Sequence, residues 1–178
     1  MRRAGEDTAM RVLVTVASRH GGTREIGYRI AAELEARGLA VDVVDPDDVA
    51  SIEGFDAVVL GSAVYSGHWL PAARQFAERF ESELSGRPVW LLSSGLATAP
   101  AAAANSPAET QAMLTATGAR GHRAFGGRLD VSTLDVAERA IIAGAQGKEG
   151  DHRDMVAVAQ WSARIADALT ATPAPAPA

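Results

Sequence analysis

Residues 11–25 read RVLVTVASRHGGTRE, and the next thirteen, IGYRIAAELEARG, carry on from them. Val12 to Val16 form a near-continuous apolar, β-branched string, the pattern of a strand buried on both faces. After a polar loop the spacing changes to a helical period: Ile26, Ile30 and Leu34 share one stripe of a helix expected over Thr23–Arg37, which stops at Gly38. A buried strand, a glycine-bearing loop and an amphipathic helix in that order start an α/β fold.

The alternation continues along the chain. Further strands are expected at Phe55–Gly61, Val89–Ser93 and His122–Gly126, with a second one at Ala40–Val44 between the first helix and Phe55. Helices are expected from Pro71 to Leu84, with Phe76, Phe80 and Leu84 on one face, and from Ala108 to Thr117. A last helix, Arg153–Leu169, should face Val156, Trp161, Ile165 and Leu169 inward, with Asp151 as its N-cap and Asp154 in its first turn. Five strands separated by helices imply a doubly wound parallel sheet in a three-layer α/β/α arrangement. Right-handed crossovers favour the order 2-1-3-4-5. Residues 10–170 are expected to form this domain, with an extension at 1–9 and an alanine–proline tail at 171–178.

The 178 residues suffice for one domain with a buried core, and 47% of them are hydrophobic. A net charge of −5, without a long basic run, argues against a general nucleic-acid binder. The absence of cysteine excludes disulfides, thiol chemistry and cysteine-held metal or iron–sulfur centres. No signal peptide and no integral membrane segment are visible, so the cytoplasm is the expected location.

Open parallel sheets bind ligands at the carboxyl ends of their strands, beside the switch point between strands one and three. Three loops meet that condition. In Ser18–Thr23, Gly21 and Gly22 let the backbone curl round a tetrahedral group, the hydroxyls of Ser18 and Thr23 can donate, and the helix start adds free N–H groups. The ligand suggested is a phosphate monoester; the plainer alternative is an ordinary turn with Thr23 as N-cap and surface arginines. The loop Gly61–Trp69 offers the aromatic faces of Tyr65 and Trp69 for a planar ring, and polar contacts from Ser62, Ser66 and His68. For Trp69 the alternative is a place in the core. Ser93, Ser94 and Gly95 after the fourth strand suit the polar edge of a ligand. Residues 97–106, ATAPAAAANS, form a low-complexity loop on the same edge.

Neither G-x-x-x-x-G-K-[ST] nor G-x-G-x-x-G follows the first strand, which disfavours P-loop NTPases and dinucleotide binders. Ala17 and Ser62 stand where a phospho-accepting receiver needs acids. Ser18-Arg19-His20-Gly21-Gly22-Thr23 instead resembles the phosphate loop [ST]-x-[ST]-G-x-[ST] of flavodoxin-like FMN-binding proteins, departing from it at His20. Ser18–Arg24 is similar to the S-R-x-G-x-T-R loop of the branch that contains menaquinone-dependent protoporphyrinogen oxidase. GRLDVSTL and EGDHRD, late in the chain, also resemble that branch.

The resemblance implies a flavodoxin-like fold with FMN as cofactor. Ser18, Gly21, Gly22 and Thr23, with the amides of Arg19 and His20, would hold the phosphate. Ser62, Ala63, Val64, Tyr65, Ser66, Gly67 and His68, together with Ser93, Ser94 and Gly95, would line the isoalloxazine. It implies no catalytic side chain and no metal site, because the flavin carries the chemistry. Arg19 and Arg24 would favour a negatively charged reduced flavin and raise its potential. The implied function is an FMN-dependent redox protein, either an electron carrier or an oxidoreductase, whose partner is a redox protein or a quinone-type small molecule. A quinone-dependent protoporphyrinogen oxidase-type enzyme is one alternative; a cofactor-free interaction module on the same fold is another.

Overall fold

Val12, Val14 and Val16 of the first strand, β1 (Arg11–Ala17), pack on one face of a sheet, and Leu13 and Ala17 on the other. This strict alternation gives the protein two cores. A computed structural model describes residues 9–95, 108–144 and 146–171. The expected N-terminal extension up to residue 8, the loop 97–106 and the tail from 172 lie outside the described residues.

The remaining elements are α1 (Gly22–Glu35), β2 (Ala40–Val44), β3 (Ala57–Tyr65), β4 (His68–Trp69), α2 (Pro71–Arg79), α3 (Glu81–Ser85) and β5 (Val89–Gly95). They are followed by α4 (Ala108–Thr117), β6 (His122–Gly126), β7 (Arg128–Leu129), α5 (Val136–Gly144), β8 (Gly150–Asp151) and α6 (Met155–Thr170). Five strands pair in parallel in the order β2-β1-β3-β5-β6, which is 2-1-3-4-5 counted over the long strands. Two short additions were not anticipated: β4 folds back antiparallel on β3, and β7 pairs with β8 beside the main sheet.

One core joins β1 to Ile26, Ile30 and Leu34 of α1 and to Trp161, Ile165 and Leu169 of α6. The other joins Leu13, Val58 and Leu60 to Phe76, Phe80 and Leu84. The expected helix 71–84 is interrupted at Phe80, where φ is −112°, yet its apolar face stays on the core through both halves. Three boundary readings need correction. Asp154, not Asp151, caps α6, accepting a hydrogen bond from the Ala157 N–H at 2.8 Å. With the helix starting there, the inward stripe runs through Val158, and Val156 lies 66% exposed. Strand three does not end at Gly61 but runs on to Tyr65, because β4 supplies a partner for its last residues.

Candidate functional site

The loop after β1 turns into α1 at Gly21, which serves as N-cap with φ +84° and gives the helix no side-chain cap. That left-handed conformation suits glycine, and a Cβ there would meet nothing within 4 Å. Thr23, the alternative cap, lies inside the helix. The first intrahelical bond runs from Glu25 N–H to Gly21 O at 3.0 Å, so the amides of Gly22, Thr23 and Arg24 precede the hydrogen-bonded ladder. The hydroxyls of Ser18 and Thr23 have no hydrogen-bond partner among the described residues. Free amides, free hydroxyls and the positive end of a helix fit an anion of phosphate size.

The second wall is a hairpin. Ser66 (φ +49°) and Gly67 (φ +77°) form a two-residue turn with both central residues left-handed, the geometry that matches strand twist. It holds Tyr65 half-buried over the cleft, with its ring centroid 5.5 Å from the Arg19 guanidinium carbon and 6.5 Å from the His20 ring. Burial, reinforced by the Glu138 carboxylate, raises the Tyr65 pKa, so its hydroxyl stays protonated. The strand register sets Ala17, Ser62, Ser93 and Ala124 side by side, a row of small residues at the carboxyl edge. The cleft above it, about 350 Å³, is lined by Ser18, Arg19, His20, Gly22 and Thr23, by Ala63, Val64 and Tyr65, and by Ser94, Gly95, Gly127 and Arg128.

Not every residue read from the sequence reaches this cleft. The Ser62 hydroxyl is buried and accepts from Leu70 N–H at 2.8 Å. The Ser93 hydroxyl accepts from Trp69 Nε1 at 2.8 Å and pairs with His122 Nε2 at 2.7 Å; burial lowers the His122 pKa. Trp69 is a core residue. His68 is exposed and faces Glu109 on α4 at 3.3 Å, away from the cleft. Ser66 and Gly67 form the hairpin tip, and Ser66 borders a neighbouring cavity.

Three charged residues were missed. Glu138 is buried at the start of α5 and forms a reciprocal capping box with Asp135: Asp135 N–H donates to Glu138 Oε2 (2.9 Å) and Glu138 N–H to Asp135 Oδ1 (2.8 Å). Its Oε1 also accepts from Arg19 Nε at 2.7 Å and His20 Nε2 at 3.0 Å, tying α5 to the loop after β1. The Asp135 amide foremost, then His20 and Arg19, lower its pKa, so it is a carboxylate. Arg128 spans from the cleft to Glu25 at 2.9 Å. Arg153, 5% exposed, donates to Gly22 O (3.1 Å), Glu25 (2.6 Å) and Asp151 (2.6 Å). The D-x-x-E spacing of 135–138 was the one readable signal among these. The positive field expected from Arg19 and Arg24 is offset, since Glu138 pairs the first and Asp45 the second at 3.0 Å.

Fold and cleft define a doubly wound α/β protein whose first helix starts without a side-chain cap beside an open cleft at the switch point of the sheet. Residues 13–155 match the flavodoxin domain, and the chain belongs to the flavodoxin family, whose members are FMN-binding redox proteins. It is similar to the protoporphyrinogen IX dehydrogenase [quinone] of Escherichia coli strain K12, 31% identical over 81 residues, which span 44% of this chain and 45% of that protein. It thus matches less than half the length of that curated relative. Among solved structures it resembles a flavodoxin from the domain Archaea, with a TM-score of 0.65 at 14% identity over 91% of this chain and 100% of the other. Oxidised flavodoxin 1 from Bacillus cereus gives 0.62 at 15% identity over 91% and 99%.

Proposed function

We propose that the chain binds FMN in this cleft and works as a cytoplasmic flavin-dependent oxidoreductase on a domain of residues 10–170. The observation that carries the reading is the uncapped start of α1, with the hydroxyls of Ser18 and Thr23 free, directly beneath the Tyr65 hairpin. In this reading Ser18, Gly22 and Thr23 and the first-turn amides hold the phosphate. Ala63, Val64, Tyr65, Ser94 and Gly95 border the ring. The bound flavin would supply one- and two-electron chemistry; the side chains bind and orient it and exclude water. No helix among the described residues is long and apolar enough to cross a membrane.

The test is titration of FMN fluorescence with the purified chain. One equivalent of quenched flavin is expected, and protein that takes up none would remove the flavin reading in favour of a cofactor-free module. Thr23→Val keeps the buried shape and removes one hydroxyl facing a dianion. It should cost about 1.5 kcal/mol, roughly a tenfold weaker dissociation constant. An unchanged constant would place the phosphate elsewhere.

A second reading, oxidation of a protoporphyrinogen-type substrate with a quinone acceptor, is favoured by the match to the Escherichia coli enzyme. A steady-state assay with protoporphyrinogen and menadione separates it from simple electron transfer to a redox protein.

A further inference from the structure

Strand β6 ends the main sheet: it pairs with β5, and no other described strand pairs with its outer edge. Leu91 N–H donates to Gly121 O at 2.9 Å, which sets the phase of the parallel ladder. Arg123 and Phe125 then turn their main-chain groups to β5, and the N–H and C=O of His122 and Ala124 point outward. Among the described residues these outward groups have no hydrogen-bond partner. Open edges are commonly guarded by charge, and here the guard has one sign. Residues 118–126 hold Arg120 and Arg123 and no acid. Helix α6 adds Arg164, three residues after Trp161 and so on the same flank one turn further along. Trp161 packs edge-on against Phe125 of β6, with ring centroids 5.6 Å apart. The acid within α6, Asp167, is engaged by Arg37 at 3.2 Å. In a chain of net charge −5 this edge is locally cationic.

The three arginines are exposed. Among the described residues, every arginine other than these and Arg74 holds a carboxylate or a main-chain carbonyl. Arg120 lies over the Trp90 ring at 5.3 Å and Arg123 over the Phe125 ring at 5.8 Å. Trp90, Phe125 and Trp161 belong to the core under α6, so the arginines border one face of the sheet. Stacking occupies the face of a guanidinium and leaves its N–H donors along the rim. Unpaired donors held beside a free strand edge suit a polypeptide that carries carboxylates. Acids at every second position of an added strand fall on the arginine face. A second copy of this chain paired across a two-fold axis would set the cationic strip against itself. An anionic lipid surface would engage the arginines but has no strand to offer His122 and Ala124.

We propose that the open edge of β6 docks an extended acidic segment of a partner protein. The segment adds to the sheet as a strand, and Arg120, Arg123 and Arg164 take its carboxylates. β6 leads directly to Gly127 and Arg128 in the cleft, and Ala124 is about 10 Å from Gly127 at the rise of a strand. The proposal rests on the flavin reading for its purpose, which is to bring a redox partner within reach of the cleft. The docking itself is tested without flavin.

The probe is a short fluorescein-labelled peptide alternating glutamate and valine, titrated with the full chain, with FMN and without, and followed by anisotropy. It should bind saturably, at least about tenfold more tightly than the matching lysine–valine peptide. The double variant Arg120→Gln/Arg123→Gln keeps the stems over the rings and should weaken it about tenfold, with FMN affinity unchanged. Amide hydrogen exchange supplies the second readout: the His122 and Ala124 amides should slow when the peptide is bound. Equal binding of the lysine peptide, unaltered binding by the double variant, or unprotected His122 and Ala124 amides would overturn the proposal. So would tighter binding to phosphatidylserine vesicles than to the peptide, which would make the strip a membrane contact. If the chain takes up no FMN yet the peptide protects these amides, the edge site stands and the flavin reading falls.

Discussion

Arg153→Met is expected to lower stability by about 2 kcal/mol near neutral pH and to loosen FMN binding, with an effect that fades in acid. The Arg153 side chain is 5% exposed and its guanidinium lies between Asp151 and Glu25, while also holding the Gly22 carbonyl of the first α1 turn. Methionine fills much the same space and leaves both carboxylates without that partner. Breaking a fully buried pair costs about 3–5 kcal/mol. Here the two carboxylates are roughly half exposed, so water takes over part of the solvation and the smaller figure applies. Asp151 is held down to about 2, chiefly by its hydrogen bond from Arg153, and Glu25 is lowered by the same guanidinium. For groups whose folded pKa is depressed, the stabilisation is complete above the unfolded values and disappears as pH falls through the folded ones. Wild type should therefore lose this contribution below about pH 4.5, most of it on approaching about pH 2, while Arg153→Met has little of it to lose. Urea unfolding of both proteins across that window measures the gap between them. A gap that stays constant down to about pH 2 would mean that Arg153 acts through packing and not through charge.

That cluster also marks where sequence reading stops. The unit β1–loop–α1 is legible because Val12–Val16 and Ile26, Ile30 and Leu34 are local patterns, and each side chain's fate follows from strand or helix period alone. The same holds for α4 and β6, whose observed limits are the expected ones. The end of β3 is not legible, since Ser62–Tyr65 looks like a polar loop until Ser62 and Ala63 pair with the neighbouring parallel strands and Val64 and Tyr65 with β4. Once it is a strand, its alternation turns Ser62 inward, and the neighbouring Ser93 is likewise buried. Their hydroxyls then bind the Leu70 amide and the Trp69 indole in place of any ligand. Glu138 could be read as a helix-capping residue from Asp135–Glu138. Its ties to Arg19 and His20, more than a hundred positions earlier, depend on tertiary structure, and they alter the site's charge as much as the arginines do. Arg153 has no sequence signature at all; it reads as the first residue of a helix that in fact starts after it.

The largest loss of stability is expected from Gly126→Ala, a single added methyl at the end of β6. A Cβ there would sit 2.2 Å from the His152 carbonyl oxygen and 3.0 Å from its carbon. The obstacle is main chain, so no side-chain rotation relieves it. Either β6 or the segment 150–153 must move by about an ångström. Neither is free to do so. Gly95 pairs with Gly126 across the β5–β6 ladder, and His152 N–H donates to Gly127 O at 3.0 Å. One residue further on, Arg153 is pinned by Asp151, Glu25 and Gly22. Relieving the contact therefore breaks either a ladder bond or the ion cluster under the α1 turn. Overpacking costs about 1–3 kcal/mol when side chains can adjust, and a backbone obstacle puts this change at or above the upper figure. For a chain of this length about 3 kcal/mol corresponds to a melting temperature lowered by roughly 9 °C. Gly121→Ala is the matched control, because its Cβ would meet nothing within 4 Å, and it should melt close to wild type. The mechanism makes a further demand. If segment 150–153 is what yields, Gly126→Ala should also flatten the acid dependence that Arg153 provides, as Arg153→Met does. If the ladder yields, that dependence survives and the β5–β6 amides exchange faster with deuterium. Melting of Gly126→Ala within about 2 °C of wild type would mean that the 150–153 segment is not fixed against the sheet edge as these contacts describe.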